Sequence, residues 1–422
     1  MSKQVAVIDI GTTGIRILVA KINETGIPHI IAKSQVSSNA IKKFEIEDES
    51  LLTDSIKSAL KKIRDQTGII IKTAYISISG DCLKFLSNSD SIDISDNEGD
   101  ITSAHVGQVL DKTASVEIYD DELLVDIIPL TYYVDGKPEN DPLGLVGNKL
   151  SVEAKVVLGS KEYIEKLTAC VNNAGLQVDG YVPFFMAMGE LLSESEVDEE
   201  EQSTLLVDVG GQVTEYVIYY KGKPFLFGAV PVGGDSITND LAQVFKISLS
   251  EAETIKKDYP LATLEVLSNN IDVAIFSLES GTQEILKVAQ IVEVMQARIE
   301  NIFEIVKDRL EEEDVETQYI DRVILTGDGI TKFKGVDKVS ESIFETKFAP
   351  IDFSRLTGMK SVFTNASGML MYIAMQLPLG RKESVFERVF LKENVTAVKS
   401  KEKSGFAKFM DKLKDWASSF KE

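Results

Sequence analysis

The chain has 422 residues, 44% of them hydrophobic, so it is long enough for two or more compact lobes. It carries 45 basic and 67 acidic residues, a net charge of −22, which argues against nucleic-acid binding through a broad basic face. The two cysteines and two histidines favour neither a disulfide scaffold nor a structural zinc site and fit a reducing cytosol. No apolar run reaches the roughly 20 residues that span a membrane, and the first residues lead directly into a core strand, so we expect no signal peptide.

Strand and helix periodicities alternate in the first 80 residues. Short apolar runs predict strands, and an apolar period of about 3.6 residues predicts a helix. The predicted elements are a hairpin of Val5–Ile10 and Gly14–Ala20, a helix over Leu51–Arg64 and a strand over Ala74–Ser79 that ends at Gly80.

Residues 84–160 are predicted to form an inserted module. Its helix begins with a cap at Thr102 or Ser103, because a hydroxyl there accepts a hydrogen bond from the first turn. The loop 140–147, rich in Pro and Gly, carries exposed apolar residues and is either an ordinary hairpin loop or a segment that faces a partner. The strand candidates of the module are Leu123–Leu130, Thr131–Val134 and Leu150–Leu158.

The second half of the chain begins with a predicted hairpin like that at the start of the first half. The acidic run Ser193–Glu201 is interpreted as a solvated linker between lobes, and Thr204–Val209 and Glu215–Tyr220 then predict a second hairpin. The order strand, glycine turn, strand indicates a weak internal repeat. Further helices are predicted over 240–258, over about 284–310, where an apolar period begins at Ile285, and over Asn365–Gln376. A strand is predicted over Arg322–Leu325, and a flexible charged tether over 381–403.

Both predicted hairpins turn through an Asp-x-Gly sequence. The turns are Asp9-Ile10-Gly11-Thr12-Thr13 and Asp208-Val209-Gly210-Gly211. Backbone N–H groups in such a turn are open to phosphate oxygens, while the carboxylate at the strand tip can hold a metal-bound water. A single Asp-x-Gly turn is common at strand ends. One in each half of the chain predicts a nucleotide held between two related lobes.

Three further features are ambiguous when taken one by one. The turn Thr326-Gly327-Asp328-Gly329 either lets a base or ribose lie against the backbone or simply joins a strand to a helix, and Gly233-Gly234-Asp235 has the same two interpretations. Glu253 and Lys256 are three residues apart on one helix face, where they either reach a ribose or form a surface ion pair.

In this order along the chain, the motifs resemble the actin-like ATPase superfamily. Asp9–Thr13 resembles its first phosphate loop, Asp208–Gly211 its second and Leu325–Gly329 its adenosine loop. Within the superfamily, the chain is most similar to FtsA, the family of bacterial cell-division actin homologues, over residues 5 to about 380 and on into the tail. The segments that resemble this family are Ile127–Val157 with its loop Asp141–Gly147, Val230–Ala242, and Glu251–Glu253 with Ile255 and Lys256.

The resemblance implies an α/β, actin-like two-lobed fold of duplicated ribonuclease-H-like lobes, with an inserted subdomain of the FtsA type and a C-terminal amphipathic helix. It also implies ATP and Mg²⁺ as ligands, with Asp9 and Asp208 positioning the ion through water. The other implied nucleotide-binding residues are Gly11, Thr12, Thr13, Gly210 and Gly211 around the phosphates, Glu253 and Lys256 at the ribose, Gly327 and Gly329 beside the adenosine, and Gly233, Gly234 and Asp328 nearby.

The resemblance also predicts how the chain is divided. The expected segments are the first lobe in 1–82 and 163–202, the inserted subdomain in 83–162, the second lobe in 203–240 and 317–380 with a closing helix, its helical subdomain in 241–316, a linker in 381–403 and a membrane-targeting helix in 404–422.

The chain departs from the superfamily pattern at three places around the expected site. Gln212-Val213-Thr214-Glu215 stands where relatives often have Gly-Thr-Thr-Asp, and Asp328 adds a carboxylate where relatives usually have glycine. Val182 precedes Pro183, where some relatives place a Glu or Gln that orients the attacking water, a hydrogen bond that valine cannot make. We therefore expect slow hydrolysis or none, and the sequence leaves open whether nucleotide binding itself is weakened.

Residues 404–422 have the pattern of an amphipathic helix that lies on a membrane. Their apolar residues fall on one arc of about 120°. Residues 401–422 carry six lysines against four acidic residues, and together with the charged tether this disfavours the alternative of a helix packed on the body. One copy is expected to bind weakly, and several copies in a filament to gain by effective concentration. The predicted membrane residues are Phe406, Phe409, Met410, Leu413, Trp416 and Phe420, flanked by Lys412 and Lys414.

The resemblance implies a protein that polymerises and holds FtsZ filaments, through the FtsZ C-terminal peptide, at the cytoplasmic face of the cell membrane, among other proteins of the division site. A PilM-like pilus platform protein shares the lobes and the insert type but is expected to lack the amphipathic helix. A small-molecule kinase of the superfamily needs a catalytic base, and no convincing carboxylate for that role is found in the sequence. A heat-shock-type chaperone needs a peptide-binding domain, for which too few residues follow residue 380.

Overall fold

The computed structural model describes residues 3–23, 26–94, 100–193 and 203–376. These residues form two compact units. The first is built from the chain up to Asp81 and from Lys166 to Ala374, and the second contains Cys82–Glu165. Most of the predicted acidic linker, the tether 381–403 and the predicted membrane helix 404–422 with all its named residues lie outside the described residues.

The first segment folds as its apolar runs predict, because strand residues such as Val7 and Ile8 are fully buried. Its helix begins at Asp48, whose carboxylate accepts from the Leu51 N–H at 2.8 Å, and ends at Gly68 in a left-handed conformation. The strand Pro28–Ser37 was not predicted. The elements are β1 (Lys3–Gly11), β2 (Gly14–Ile22), β3 (Pro28–Ser37), β4 (Ile41–Lys42), β5 (Glu45–Ile46), α1 (Glu49–Thr67) and β6 (Thr73–Ile78).

The second unit is a four-stranded sheet with one helix packed on it. Thr102 caps that helix, which is one of the two predicted alternatives. The strand candidates Leu123–Leu130 and Thr131–Val134 form one continuous strand. In the loop 140–147, Leu143 and Leu145 pack on the core, while Val146 is 73% exposed, so only part of the predicted apolar exposure is present. The elements are β7 (Leu83–Asp93), α2 (Ser103–Thr113), β8 (Glu122–Val134), β9 (Lys137–Glu139) and β10 (Lys149–Ser160).

The remaining chain returns to the first unit and builds its second half. The elements are α3 (Lys161–Asn173), β11 (Gln177–Pro183), α4 (Phe184–Ser193), β12 (Ser203–Val209), β13 (Thr214–Tyr220), β14 (Lys223–Val230), α5 (Gly234–Phe245), α6 (Leu249–Asp258), β15 (Asp272–Phe276), β16 (Gln283–Lys287), α7 (Val288–Glu312), β17 (Arg322–Thr326), α8 (Val336–Phe344), α9 (Phe353–Thr357) and α10 (Thr364–Gln376).

Two sheets of the first unit repeat one arrangement and define its two lobes. The first lobe has the strand order β11-β6-β1-β2-β3, and the second has β14-β13-β12-β17. In each, the hairpin that carries the Asp-x-Gly turn pairs in parallel with a later strand. The registers match as well, since Asp9 faces Arg16 in one hairpin and Asp208 faces Glu215 in the other. The predicted internal repeat is confirmed.

Two helix predictions in the second lobe are wrong in detail. The predicted helix 240–258 is two helices, α5 and α6, because Lys246 adopts a left-handed backbone with φ of 52° and Ser248 caps the second helix. Ile285, counted as the start of the next helix, lies in β16 opposite Ala274 and is 70% exposed. Its three-residue spacing from Val288 imitates a helical period, but pairing in the β15–β16 hairpin keeps it extended.

The closing helix α10 crosses α4 at a glycine. A Cβ atom on Gly368 would overlap the carbonyl group of Ala187, so the two helix backbones approach as closely as glycine allows. At the start of α10, the Asn365 amide donates to the Asp9 carboxylate at 2.8 Å. Although α10 follows the second-lobe segment in sequence, it therefore contacts elements that precede that lobe.

Gly368→Ala tests this helix crossing. Alanine normally stabilises a helix relative to glycine, but here its methyl group must displace the Ala187 backbone. We expect the free energy of unfolding to fall by about 1–3 kcal/mol, as measured by urea denaturation. Met375→Ala, on an exposed position of the same helix, is the matched control. A Gly368→Ala protein as stable as the wild type would contradict the close approach.

Candidate functional site

Three glycine turns of the second lobe pack backbone against backbone. The N–H of Gly329 donates to Val209 O at 2.8 Å, and the N–H of Gly234 donates to Gly210 O at 2.9 Å. A Cβ atom on Gly233 would lie 2.7 Å from the same Gly210 oxygen, and one on Gly234 would lie 2.7 Å from Gly329 Cα. Glycine is therefore required at these positions by close backbone approach, and the predicted second phosphate loop, the 233–234 turn and the 327–329 turn form one cluster.

The first phosphate loop lies against this cluster. A Cβ atom on Gly211 would overlap the methyl group of Thr13, so the two predicted phosphate loops touch. The first loop is held from behind by β6, because the Ile10 N–H donates to the Ser77 hydroxyl at 2.9 Å. The structure thus brings together the two loops that are far apart in sequence.

Carboxylates from both lobes converge at this point. Burial, together with the negative charges of Asp9 and Asp328, raises the pKa of Asp208 to about 7, while the Arg16 guanidinium acts in the opposite direction. Asp9 itself is buried and lies 3.5 Å from Arg16 Nη1. Arg16 alone therefore does not balance the negative charges around Asp208.

Glu215 adds a further carboxylate that the sequence analysis did not assign to the site. Its Oε1 accepts from the Gly80 N–H at 2.7 Å and from the Ser79 hydroxyl at 3.0 Å, so it joins the second lobe to the end of β6. Burial raises its pKa to about 8, with the charges of Asp208 and Asp9 adding to the effect and the two hydrogen bonds opposing it. Its register opposite Asp208 in the second hairpin is the signal that identifies it.

Arg16 and Asn365 are two more site residues that sequence reasoning missed. Arg16 donates to Gly14 O and to the Thr13 hydroxyl, both at 3.2 Å, and so lies under the first phosphate loop. Within the part of the chain that the structure describes, the buried Arg16 Nε and Asn365 Oδ1 have no hydrogen-bond partner. Buried polar atoms of this kind normally bind water or a ligand.

A cavity of about 590 Å³ lies between the loop clusters and α6. Asp235 and Asn239 contribute from α5, Glu253 from α6, and Gln212 from the second phosphate turn, while Lys43 comes from the β4–β5 turn of the first lobe. Ser236, Thr238 and Ser250 add hydroxyl groups. Hydroxyl, amide and carboxylate groups in this density suit a polar ligand rich in hydroxyl groups.

Glu253 and Lys256 form an ion pair, with 2.6 Å between Lys256 Nζ and Glu253 Oε2, but the pair is not on the surface because Lys256 is buried. Lys256 is 8% exposed, and its ammonium donates to Gly234 O at 3.0 Å and to the Thr238 hydroxyl at 2.6 Å. Burial raises the pKa of Glu253, but hydrogen bonds from Lys256, Thr238 and Lys257 together lower it to about 2. Glu253 lines the cavity, while Lys256 lies behind it and holds the 233–234 turn. Contact of either residue with a ribose stays a prediction.

Asp328 and Val182, the two other departures from the superfamily pattern, have well-defined surroundings in the structure. The Asp328 carboxylate accepts from the Ser361 hydroxyl at 2.6 Å and lies 3.4 Å from Lys332 Nζ. Val182 is 0% exposed, in the last strand of the first lobe's sheet. Its side chain therefore packs in the core and offers no polar atom to the site.

A magnesium nucleotide fits these residues. Mg²⁺ is usually bound by one or two carboxylates together with water and phosphate oxygens, and Asp9 and Asp208 supply such carboxylates. Arg16 adds a positive charge beside the first phosphate loop. Across the described ranges, no group of three His, Cys, Asp or Glu side chains is arranged to hold a metal by itself. None of the helices placed by the structure is long and apolar enough to cross a membrane.

Comparison with known families gives two matches. The model of the family "Cell division protein FtsA" matches residues 205–368, and that of the "SHS2 domain inserted in FTSA" matches residues 80–158, which include most of the second unit. The cell division protein FtsA of Borreliella burgdorferi is 25% identical over 99% of this chain and 100% of that protein. That of Enterococcus hirae is 28% identical over 87% of this chain and 82% of that protein. The chain belongs to the FtsA family. It is a cell-division protein, as the resemblance of its motifs predicts.

Solved structures confirm the actin-like fold of this FtsA-family chain. The PilM-PilN type IV pilus biogenesis complex aligns with a TM-score of 0.57 at 15% identity, over 90% of this chain and 98% of that chain. MreB5 of Spiroplasma citri bound to ADP aligns with a TM-score of 0.52 at 13% identity, over 89% and 98%. At such identities the likeness shows the fold alone, so the choice between the FtsA and PilM families rests on the sequence matches, which favour FtsA.

The carboxylate cluster predicts how stability depends on pH. Because the pKa values of Asp208 and Glu215 are raised above about 4, the folded state binds more protons than the unfolded state between about pH 4 and pH 8. The free energy of unfolding therefore falls as the pH rises through this window. Asp208→Asn and Glu215→Gln should flatten the fall and raise the melting temperature near pH 8 by roughly 2–4 °C for each kcal/mol recovered. Melting curves without nucleotide or Mg²⁺ measure this.

Asp120→Asn, at an exposed position, is the control for this pH experiment and should leave the pH dependence unchanged. If Asp208→Asn and Glu215→Gln both keep the wild-type slope, the two carboxylates do not carry protons in the folded state at neutral pH.

Proposed function

We propose that this FtsA-family chain binds ATP with Mg²⁺ between its two lobes. The observation that carries the proposal is the convergence of Asp9, Asp208 and Glu215 over glycine turns packed backbone to backbone. Burial, and then repulsion from the charges of Asp9 and Asp328, disfavour the ionised state of Asp208. A divalent cation relieves that repulsion, and backbone N–H groups of glycine-rich loops are common donors to phosphate oxygens. ATP supplies both the phosphates and a polar nucleoside for the adjacent cavity.

The residues of the chain divide the binding task. Asp9 and Asp208 hold the magnesium ion through water, and Arg16 offsets part of the phosphate charge. The backbone of the loops that contain Gly11 and Gly210 contacts the phosphates. Glu253 faces the ribose from the cavity wall, while Lys256 keeps the 233–234 turn in place. Gly327 and Gly329 flank the adenosine.

Hydrolysis is proposed to be slow. In some relatives the residue at the position of Val182 orients the attacking water molecule. The buried Val182 has no polar side-chain atom and cannot perform this task. Nucleotide then acts mainly by stabilising one arrangement of the lobes, since a ligand that binds only one state shifts the equilibrium toward it.

Asp208→Ala tests the nucleotide site. Loss of a carboxylate that holds metal-bound water should weaken binding of magnesium ATP by about ten- to a hundredfold, as measured by isothermal titration calorimetry. ATP with EDTA should bind both proteins equally weakly. The matched control is Asp337→Ala, on α8 and away from the loops. Equal affinity of the Asp208→Ala and wild-type proteins would contradict the assigned role, and a wild-type protein that binds no ATP would contradict the proposed function.

The second part of the proposal is a tether at the cell membrane. Membership in the FtsA family supports assembly into a filament that holds FtsZ through its C-terminal peptide at the division site. The sequence of residues 404–422 supports attachment to the cytoplasmic face of the membrane, since its apolar arc contains the only tryptophan of the chain, flanked by lysines. Filament formation and attachment then reinforce one another through effective concentration.

Trp416→Glu tests membrane attachment. A carboxylate in the middle of the apolar arc should abolish sedimentation of the full-length protein with phosphatidylglycerol vesicles, because a charge at this depth is strongly unfavourable. Trp416→Phe keeps an apolar ring and should retain most of the binding, and Asp415→Asn, on the polar side, should not reduce it. Unchanged sedimentation of the Trp416→Glu protein would contradict the membrane role of this segment.

A further inference from the structure

Gln212 links the two lobes across the cavity. Its side-chain Oε1 accepts a hydrogen bond of 3.3 Å from the backbone N–H of Lys43. Gln212 belongs to the turn between β12 and β13 of the second lobe, whereas Lys43 belongs to the turn between β4 and β5, which precedes α1 of the first lobe. Both residues line the 590 Å³ cavity. The bond therefore closes one side of the space that the proposed nucleotide occupies.

The Lys43 N–H is presented by a well-defined hairpin. Lys43 has a left-handed backbone with φ of 51°, which is uncommon for a residue with a side chain and marks a constrained turn. On either side of it, Ile41 pairs with Ile46 and Lys42 pairs with Glu45. After the hairpin, the N–H groups of Glu47 and Asp48 donate to Ala40 O, at 2.9 and 3.2 Å. The donor is thus held in place before any ligand binds.

The acceptor is equally well placed on the opposite side. Gln212 follows Gly210 and Gly211, whose backbones are fixed by the bond from Gly210 N–H to Val213 O at 2.9 Å and the bond from Asp235 N–H to Gly211 O at 2.7 Å. A glycine at this position, as the resemblance implies for many relatives, would have no side chain to make this contact.

We propose that Gln212 and Lys43 form a strap that retains the nucleoside part of a bound ribonucleotide and slows its release. The inference rests on the proposed binding of ATP. The cavity behind the strap is lined by the Glu253 carboxylate and by the hydroxyl groups of Ser236, Thr238 and Ser250. Such groups hydrogen-bond the hydroxyls of a ribose. Release of the ligand on this side requires the bond between Gln212 and Lys43 to open.

The release rate of a fluorescent nucleotide tests the strap. The full-length protein is loaded with magnesium N-methylanthraniloyl-ATP and chased with excess ATP. Gln212→Met keeps the length of the side chain but removes the acceptor, and should speed dissociation by about fivefold. Gln318→Met, at an exposed position that does not line the cavity, is the matched control and should release nucleotide at the wild-type rate.

Amide hydrogen exchange of the nucleotide-free protein tests the contact itself. Exchange at the Lys43 amide should be faster in Gln212→Met than in the wild type, and unchanged in Gln318→Met. A wild-type protein that binds the probe but releases it no more slowly than Gln212→Met would overturn the strap and leave ATP binding intact. Equal protection of the Lys43 amide in the wild type and Gln212→Met would also overturn it. A wild-type protein with no detectable probe binding would overturn the ATP proposal and the strap together.

Discussion

The negative charges of Asp9 and Asp208 act on each other at the tips of two equivalent strands, and the rest of the site is arranged around that repulsion. The glycine turns of the second lobe interlock at distances that leave no room for a Cβ atom, and Gly211 lies against the Thr13 methyl group of the first lobe's loop. The two strand tips therefore lie on loops that touch each other. Protonation, the partial charge compensation by Arg16 and binding of a divalent cation are the ways in which this repulsion can be relieved.

The two hairpins show how duplication produced a site with different chemistry on its two sides. At the position opposite the strand-tip aspartate, the first lobe carries Arg16 and the second carries Glu215. Arg16 turns toward its own loop and lies beside Asp9. Glu215 instead reaches Gly80 and Ser79, in the other lobe. One repeat therefore supplies positive charge under the phosphate loop, and the other supplies a contact between the lobes.

Contacts between the lobes surround the site on several sides. Glu215 contacts the end of β6, Gln212 contacts the β4–β5 turn, and Asn365 of the closing helix contacts Asp9. Each of these bonds involves a residue in or next to a loop assigned to the nucleotide. A ligand that binds these loops acts on the contacts that hold the lobes together, which is the physical requirement for coupling nucleotide state to the shape of an actin-like unit.

The amino-acid sequence by itself determined the two hairpins, the glycine turns and the order of motifs along the chain, because strand periodicity and turn chemistry are local properties. Those motifs were sufficient to predict the repeat, the fold family and the strand-tip aspartates. Only the tertiary structure decided which other side chains share the site. Asn365 lies 356 positions after Asp9, and Glu215 meets Gly80 across 135 positions, so no local pattern marks these contacts. The tertiary structure also decided that Lys256 is buried and that Ile285 lies in a strand. Both outcomes depend on which neighbours pack against the residue rather than on its spacing along the sequence.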